Sequence, residues 1–262
     1  MPDATGKKLT QLNQSTEKAL NIIELLAKKH VPMRLQDISK ELNINVSTVL
    51  RFLNSLQAAG YVEQEKDSQQ YFLTYKICYL ANMVSSNMSL PKTTHPFLVD
   101  LSARFHETSC VSIEQNQAMV YVDIVTDTSQ SLMSIQRIGR VAPMHCTGNG
   151  KLLLLNYSQE QLKAYIAQKG LQQFTPNTIT TLDRLQSELE RIRIEGFAYD
   201  NEECELGVRC IACPIRNYSG AIIAGVSITG PVGRMTEEAL GRIRPYLLET
   251  SMRISEKLGF VK

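Results

Sequence analysis

Between residues 45 and 55 the stretch NVSTVLRFLNS sets Asn45, Ser47, Thr48, Arg51, Asn54 and Ser55 among apolar residues at helical spacing. Short hydroxyl and amide side chains near a helix start, followed by a guanidinium, are the groups that reach base edges and phosphates in a DNA groove. Arg51 is the best phosphate or guanine contact of the set, because its planar fork pairs two acceptors at once. Taken singly, Ser47 and Thr48 are as well suited to capping a helix, and Arg51 to being a solvated charge. The elements around them have to decide.

A second group is Ser227 and Thr229, two apart in the apolar stretch AIIAGVSITGP. On a strand they share one face, and two hydroxyls converging there need a partner, either a ligand or other core groups. A third group, His145, Cys146, Cys204, Cys210 and Cys213, has the imidazole and thiols that suit zinc. Its spacing argues against a metal: Cys210 and Cys213 fall on opposite faces of an apparent strand, and there is no second paired-cysteine unit. Buried, inert thiols are the default for all six cysteines. The chain has no GxSxG elbow, HExxH pair, glycine-rich phosphate loop or kinase signature, and His145 beside Cys146 is not a catalytic arrangement by adjacency alone. Neither an enzyme nor a cofactor is expected.

The elements that must position these groups are legible from periodicity and punctuation. Residues 1–14 carry no apolar period and read as a mobile arm. From Ser15 as N-cap, Thr16 to Lys29 place Ala19, Leu20, Ile23, Leu26 and Ala27 on one helical face, and Val31-Pro32 ends the run. Leu35, Ile38 and Leu42 mark a short second helix that stops at Asn43-Ile44-Asn45. Ser47 and Thr48 open a third, with Val49, Phe52, Leu53 and Leu56 inward and Gly60 as its left-handed stop. Tyr61–Glu65 and Tyr71–Thr74 flank the polar turn 66–69 as a hairpin, where Lys66 could meet phosphate, opposed by Glu63, Glu65 and Asp67. Helix, short helix, turn, helix, hairpin is the order of a winged helix-turn-helix, here over residues 15–75, and residues 76–90 follow as a helical linker.

Residues 91–262 alternate strand and helix patterns. Strands are expected at Cys110–Glu114, Met119–Val125, Ser131–Arg137, Phe197–Asp200, Arg209–Arg216 and Ala221–Thr229. Helices are expected across 148–168, across 181–195 and after Thr236. Pro91 marks a boundary region. Hairpins beside long helices indicate an α+β domain with a mostly antiparallel sheet.

Composition sets the frame. With 262 residues, 43% hydrophobic and 21% charged, the chain can build two cores and falls outside disordered and fibrous classes. No segment approaches the roughly 20 apolar residues of a membrane helix, and an unsignalled N-terminus with scattered cysteines points to the cytoplasm. The net charge of +2 is carried entirely by residues 1–90, too small an excess to establish nucleic-acid binding without the pattern.

The stretches STEKALNIIELLAKK, LQDISKELNINVSTVLRFLNSLQAAGYVEQ, RIGRVAPMHCTGNGKLLLL, FTPNTIT, GFAYDNEECELGVRCIACPI and AIIAGVSITGP together make the sequence, from about Ser15 to its end, similar to the isocitrate lyase regulator (IclR) family of bacterial transcription factors. The resemblance implies a GAF-like C-terminal domain that binds a small carboxylate metabolite, and assembly as a homodimer or homotetramer. Matching family positions, it implies pocket roles for Gly148, Asn149, Asp200, Cys210, Ser227 and Thr229. Backbone N–H groups at the helix start at Gly148 and Asn149 suit an anion. Asn149 stands where Ala or Leu is common. Val46 and Leu50 also depart from the family, which usually has Lys and an aromatic or His there. Leu50 instead suits contact with a thymine methyl, a readout worth about 1 kcal/mol.

The expected function is a DNA-binding transcription regulator, acting as a repressor on a palindromic operator and controlled by a carboxylate. Ligand binding would shift, through the 76–90 linker, the spacing of two recognition helices. A zinc- or redox-responsive regulator using the Cys/His cluster, and a sensor acting only through protein partners, are the alternatives.

Overall fold

The first helix, α1 (Gln14–Lys29), is capped by Asn13, whose Oδ1 accepts from the backbone N–H of Ser15 at 3.0 Å and of Thr16 at 3.2 Å. This corrects the expected Ser15 cap: an amide oxygen two residues earlier already serves the first-turn donors. The stripe facing the core is rotated too, because Ile22 and Leu26 are buried whereas Leu20 is 53% exposed and Ala27 faces solvent. In this computed structural model residues 13–87, 89–129 and 136–261 are described. The expected arm lies outside them up to residue 12.

Helix α2 (Leu35–Leu42) stops at Asn43, which takes the left-handed conformation (φ 52°) that Asn tolerates. Helix α3 (Val46–Ala58) starts one residue before Ser47, with the Asn45 carbonyl accepting from Thr48 N and Val49 N. Gly60 at φ 77° turns the chain out of α3 into β1 (Val62–Gln64), which pairs antiparallel with β2 (Tyr71–Leu73). Val49, Leu53 and Leu56 of α3 meet Ile22, Leu26, Ile38, Val62 and Tyr71 in one small core, and Phe52 is only half-buried. Reciprocal backbone bonds between Met33 and Tyr71 tie the hairpin to the segment before α2. The order of a winged helix-turn-helix is present in full, followed by α4 (Lys76–Asn87).

The chain divides into two units, Met1–Met88 and Ser89–Lys262. The second opens on α5 (Leu90–Phe105), a helix that the sequence pattern did not reveal: Pro91 lies in its first turn, where the missing N–H costs nothing, and so marks a helix start as well as a boundary. Strands β3 (Thr108–Gln115), β4 (Ala118–Val125), β5 (Val141–Ala142), β6 (Ala198–Asn201), β7 (Val208–Arg216) and β8 (Ile222–Pro231) form one antiparallel sheet in the order β5-β4-β3-β8-β7-β6. The strand expected at Ser131–Arg137 lies outside the described residues up to 135, and Gln136 and Arg137 are not in a strand.

The helical pattern across 148–168 resolves into two helices, α6 (Gly148–Leu154) and α7 (Gln159–Lys169). Ser158 starts the second through a capping box with Gln161. Helices α8 (Leu182–Glu195) and α9 (Glu237–Lys257, capped by Thr236) complete the domain. One sheet face buries Val111, Ile211, Cys213, Val226 and Ile228 against α5 and α9. The other carries Cys110, Ala198 and Ala212 toward α6, α7 and α8. Among the described residues, no helix is long and apolar enough to cross a membrane.

Candidate functional site

The outer face of α3 presents Ser47, Leu50, Arg51, Asn54 and Ser55 to solvent, together with Asn45 at its N-cap, while Thr48 is half-buried. Asn45 makes no side-chain capping bond, so its amide is available on the surface. Arg51 lies over the Phe52 ring at 5.6 Å, which steadies the guanidinium at low cost in solvation. The exposed Ser55 hydroxyl is spent on the helix backbone: it donates to the Arg51 carbonyl at 3.0 Å. In the hairpin turn Lys66 is exposed, and its carbonyl accepts from Gln69 Nε2 at 2.8 Å; Glu65 is engaged by the Ser68 hydroxyl. Arg34, which the helical spacing does not single out, is exposed at the N-cap of α2. The position before a short HTH helix was the available signal, since that helix crosses the DNA backbone.

In the C-terminal unit the strand register brings the expected pocket residues together. Asp200 on β6 lies opposite Cys210 on β7, which lies opposite Thr229 on β8, and that in turn opposite Thr108 on β3. The neighbouring row on the same face runs Ala198, Ala212, Ser227, Cys110. Ser227 and Thr229 therefore share a face, as their spacing required. Gly148 at the start of α6 comes down on this face so closely that a Cβ would sit 3.0 Å from the Ala212 Cβ and 3.4 Å from the Cys210 Sγ. Gly148, Asn149, Asp200, Cys210, Ser227 and Thr229 all line one cleft of about 520 Å³, counted with its open mouth.

The cleft is polar yet its lining is withdrawn from solvent. Asn149, Asp200, Ser227 and Thr229 are each 6% exposed or less. Asp200 Oδ1 accepts from the backbone N–H of Glu203 at 2.8 Å and of Cys204 at 3.3 Å. Burial pushes its carboxyl up to about 7, the Glu203 charge adding to the rise and the two N–H donors and Lys151 opposing it. Burial also raises the Cys110 thiol to about 11 and the Cys210 thiol further, so both hold their protons. Asn149 Nδ2 donates to Ser112 Oγ and Ser227 Oγ, each at 3.1 Å.

Three lining residues have no distinguishing mark in the sequence: Met119 and Tyr121 from β4, and Arg140 at the exposed rim. Arg140 sits inside a motif already singled out, yet only the pairing of β4 with β5 carries that segment to the cleft. Lys151 does not line the cleft but is wholly buried beside the lining residue Asn149, with Nζ 2.9 Å from Glu188 and 2.6 Å from Glu203. It ties α6 to α8 and to the loop whose backbone holds Asp200.

The thiol and imidazole groups do not form a metal centre. His145 Nε2 bonds the Gln172 carbonyl at 3.0 Å, and burial lowers its basicity. Cys146 shares a thiol hydrogen bond with Cys204 that pushes the former up and draws the latter down. Cys213 lies on the opposite sheet face from Cys210. Among the described residues no three His, Cys, Asp or Glu side chains converge to hold a metal ion.

Comparison with known proteins bears on both units. Residues 15–66 match the IclR helix-turn-helix domain, and residues 82–256 match the bacterial transcriptional regulator IclR C-terminal family. The chain is 30% identical to the HTH-type transcriptional regulator XynR of Escherichia coli K12, over 94% of this chain and 98% of that one. It is 32% identical to KdgR of Dickeya chrysanthemi, with 94% and 80% covered. It is 31% identical to the HTH-type transcriptional repressor AllR of E. coli, with 94% and 90% covered. These relatives are named as regulators, not enzymes. Among solved structures, an IclR regulator from Silicibacter has the same fold at a TM-score of 0.81 and 23% identity, covering 94% of this chain and 96% of that one. The IclR protein of Thermotoga maritima is 32% identical at a TM-score of 0.62, with 94% and 99% covered. The chain belongs to the IclR family of bacterial transcriptional regulators, with an N-terminal IclR helix-turn-helix domain and a C-terminal α+β domain that matches the IclR C-terminal family.

Proposed function

We propose that this chain is a transcriptional repressor whose affinity for a palindromic operator is set by a small carboxylate bound in the C-terminal cleft. The observation that carries the reading is the convergence of Asp200, Cys210, Ser227, Thr229, Gly148 and Asn149 on one buried polar cleft with a guanidinium, Arg140, at its rim. A small anion with further polar groups matches such a lining, because each buried donor and acceptor needs a partner. Repression is supported by the relative AllR, a transcriptional repressor.

On the DNA side, Asn45, Ser47, Thr48, Arg51 and Asn54 read bases and phosphates in the major groove, Leu50 meets a thymine methyl, and Lys66 and Arg34 contact backbone. Ser55 supports Arg51 through its backbone bond rather than touching DNA. A homodimer or homotetramer places two α3 helices on a symmetric site, and the ligand acts by favouring one arrangement of the chains through α4. The protein works in the cytoplasm.

The test is fluorescence anisotropy of the full chain on DNA from upstream of its own gene, at graded salt, with and without a set of central-metabolism carboxylates. The same acids are screened by thermal shift, because a ligand of the native state raises stability by mass action. Binding is expected to weaken with salt. At least one acid is expected to move both the melting temperature and the DNA affinity. Identical operator binding with every acid, by protein that remains folded, would refute carboxylate control.

A further inference from the structure

A second cavity lies beside the cleft and is built from a different set of side chains. It measures about 670 Å³ counted with its open mouth, and its walls come from the β3–β4 turn, β5 and α7. Among the described residues Ala142 alone lines both it and the cleft. The exposed Val141 and Phe174 stand at its mouth, and the buried Tyr165 lines it within. Apolar and aromatic walls with a few polar groups among them are the ordinary lining of a small-molecule site.

Two of those polar groups are buried without a partner. His145 is 2% exposed, and its Nε2 donates at 3.0 Å to the Gln172 carbonyl, which can only accept. Its Nδ1 has no partner among the described residues, and neither has Gln117 Oε1. Both side chains line this cavity. Gln117 also holds the left-handed conformation (φ 59°) at the second position of the two-residue turn between β3 and β4, where glycine is the usual choice, so the amide is placed there at a conformational cost. An unpaired buried polar atom destabilises the fold, and a ligand that pairs it recovers that loss as affinity.

The chemistry of the missing partner follows from the other walls. Lys169 lines the cavity from an exposed position and repels an ammonium donor. A polyol brings more hydroxyls than two groups can pair among apolar walls. One hydroxyl on an aromatic ring fits, because it both donates and accepts. It serves Nδ1 of the neutral imidazole or of the imidazolium, and the Gln117 amide in either orientation. The ring meets Phe174, whose own ring centroid stands 6.2 Å from that of His145.

We propose that this cavity is a second ligand site, for a small phenol, whose hydroxyl pairs with His145 Nδ1 and the Gln117 amide while its ring packs on Phe174. The site does not depend on the carboxylate reading of the cleft, which stands or falls separately.

The experiment titrates phenol and toluene, which differ only in hydroxyl against methyl, into the full-length chain by ligand-observed NMR. Wild type is expected to bind phenol about tenfold more tightly than toluene. His145→Phe keeps a ring and removes Nδ1, and Gln117→Leu removes the amide; each is expected to lower that preference about threefold or more. Phe174→Ala, at an exposed position outside the cleft lining, is expected to weaken both ligands alike. A reduced preference in both polar variants, together with weaker binding of both ligands to Phe174→Ala, supports the site. Wild type that binds phenol no better than toluene, a preference unchanged in a folded polar variant, or a phenol affinity unmoved by Phe174→Ala overturns it. Circular dichroism checks folding, and should His145→Phe not fold, Gln117→Leu decides for the polar pair.

Discussion

The two units solve recognition in opposite ways. On α3 the side chains proposed to meet DNA, apart from the half-buried Thr48, stand in water, held by backbone position and a contact such as Arg51 on Phe52. In the cleft the corresponding groups are almost wholly removed from water and hydrogen-bonded to one another: Asn149 to Ser112 and Ser227, Asp200 to two backbone N–H groups. A hydrated side chain can be replaced with little effect on folding, because water satisfied it in both states. A buried polar group cannot, because its partners are left unpaired. Function and stability are therefore separable in the first unit and entangled in the second.

The largest test of that contrast is Lys151→Met. It leaves Glu188 and Glu203 without their buried cation, and loss of one partner from such a group is expected to cost about 3–5 kcal/mol. Denaturant unfolding of the C-terminal domain is the measurement, and an unchanged midpoint would show that the triad is replaceable.

Next in size is the pH response of Asp200. Its carboxyl titrates at about 7 in the folded chain and near the ordinary value of 3.8 when unfolded, so between those values the native state holds a proton that the unfolded state has released. Stability is expected to fall as pH rises from about 4 to about 7 and to level above it. Asp200→Asn is expected to flatten that part of the curve, seen as the difference between thermal melts of the two proteins across the range.

Arg51→Ala sharpens the other side of the comparison. DNA affinity is expected to drop by about 1–3 kcal/mol, while the melting temperature stays within error. If Arg51 meets phosphate, the slope of affinity against salt also falls by about one, and all operator sequences weaken alike. A drop in melting temperature comparable to that of a core substitution would break the separation. Smallest is Leu50→Ala, expected to cost about 1 kcal/mol at a single T·A position. Equal effects on every single-base operator variant would remove Leu50 from base readout.

Much of this architecture is legible in the residues themselves. Each α3 residue expected to contact DNA is exposed, or half-buried in the first turn as Thr48 is, because 3.6-residue periodicity fixes which side of a local helix is apolar, although the exposed Ser55 spends its hydroxyl on the Arg51 carbonyl. Ser55 differs because a helical serine can bond the carbonyl four residues back, an option periodicity does not record. Strand alternation pairs Ser227 with Thr229, and the same rule separates Cys210 from Cys213. The misses have equally local causes. Asn13 takes the cap from Ser15, Pro91 opens a helix instead of marking only a boundary, and Ser158 divides what looks like one helix.

What the sequence alone determined is therefore the order of elements and the face each residue occupies, since both follow from dihedral preferences and from periods of 3.6 and 2 within a segment. The tertiary structure alone decided the company each residue keeps. Asp200, Cys210 and Thr229 form a row, Lys151 reaches Glu203, and Asn149 rests on Gly225, through strand register and close approach between segments tens of residues apart. Such contacts are selected by the packing of the whole sheet and its helices, which no local preference encodes.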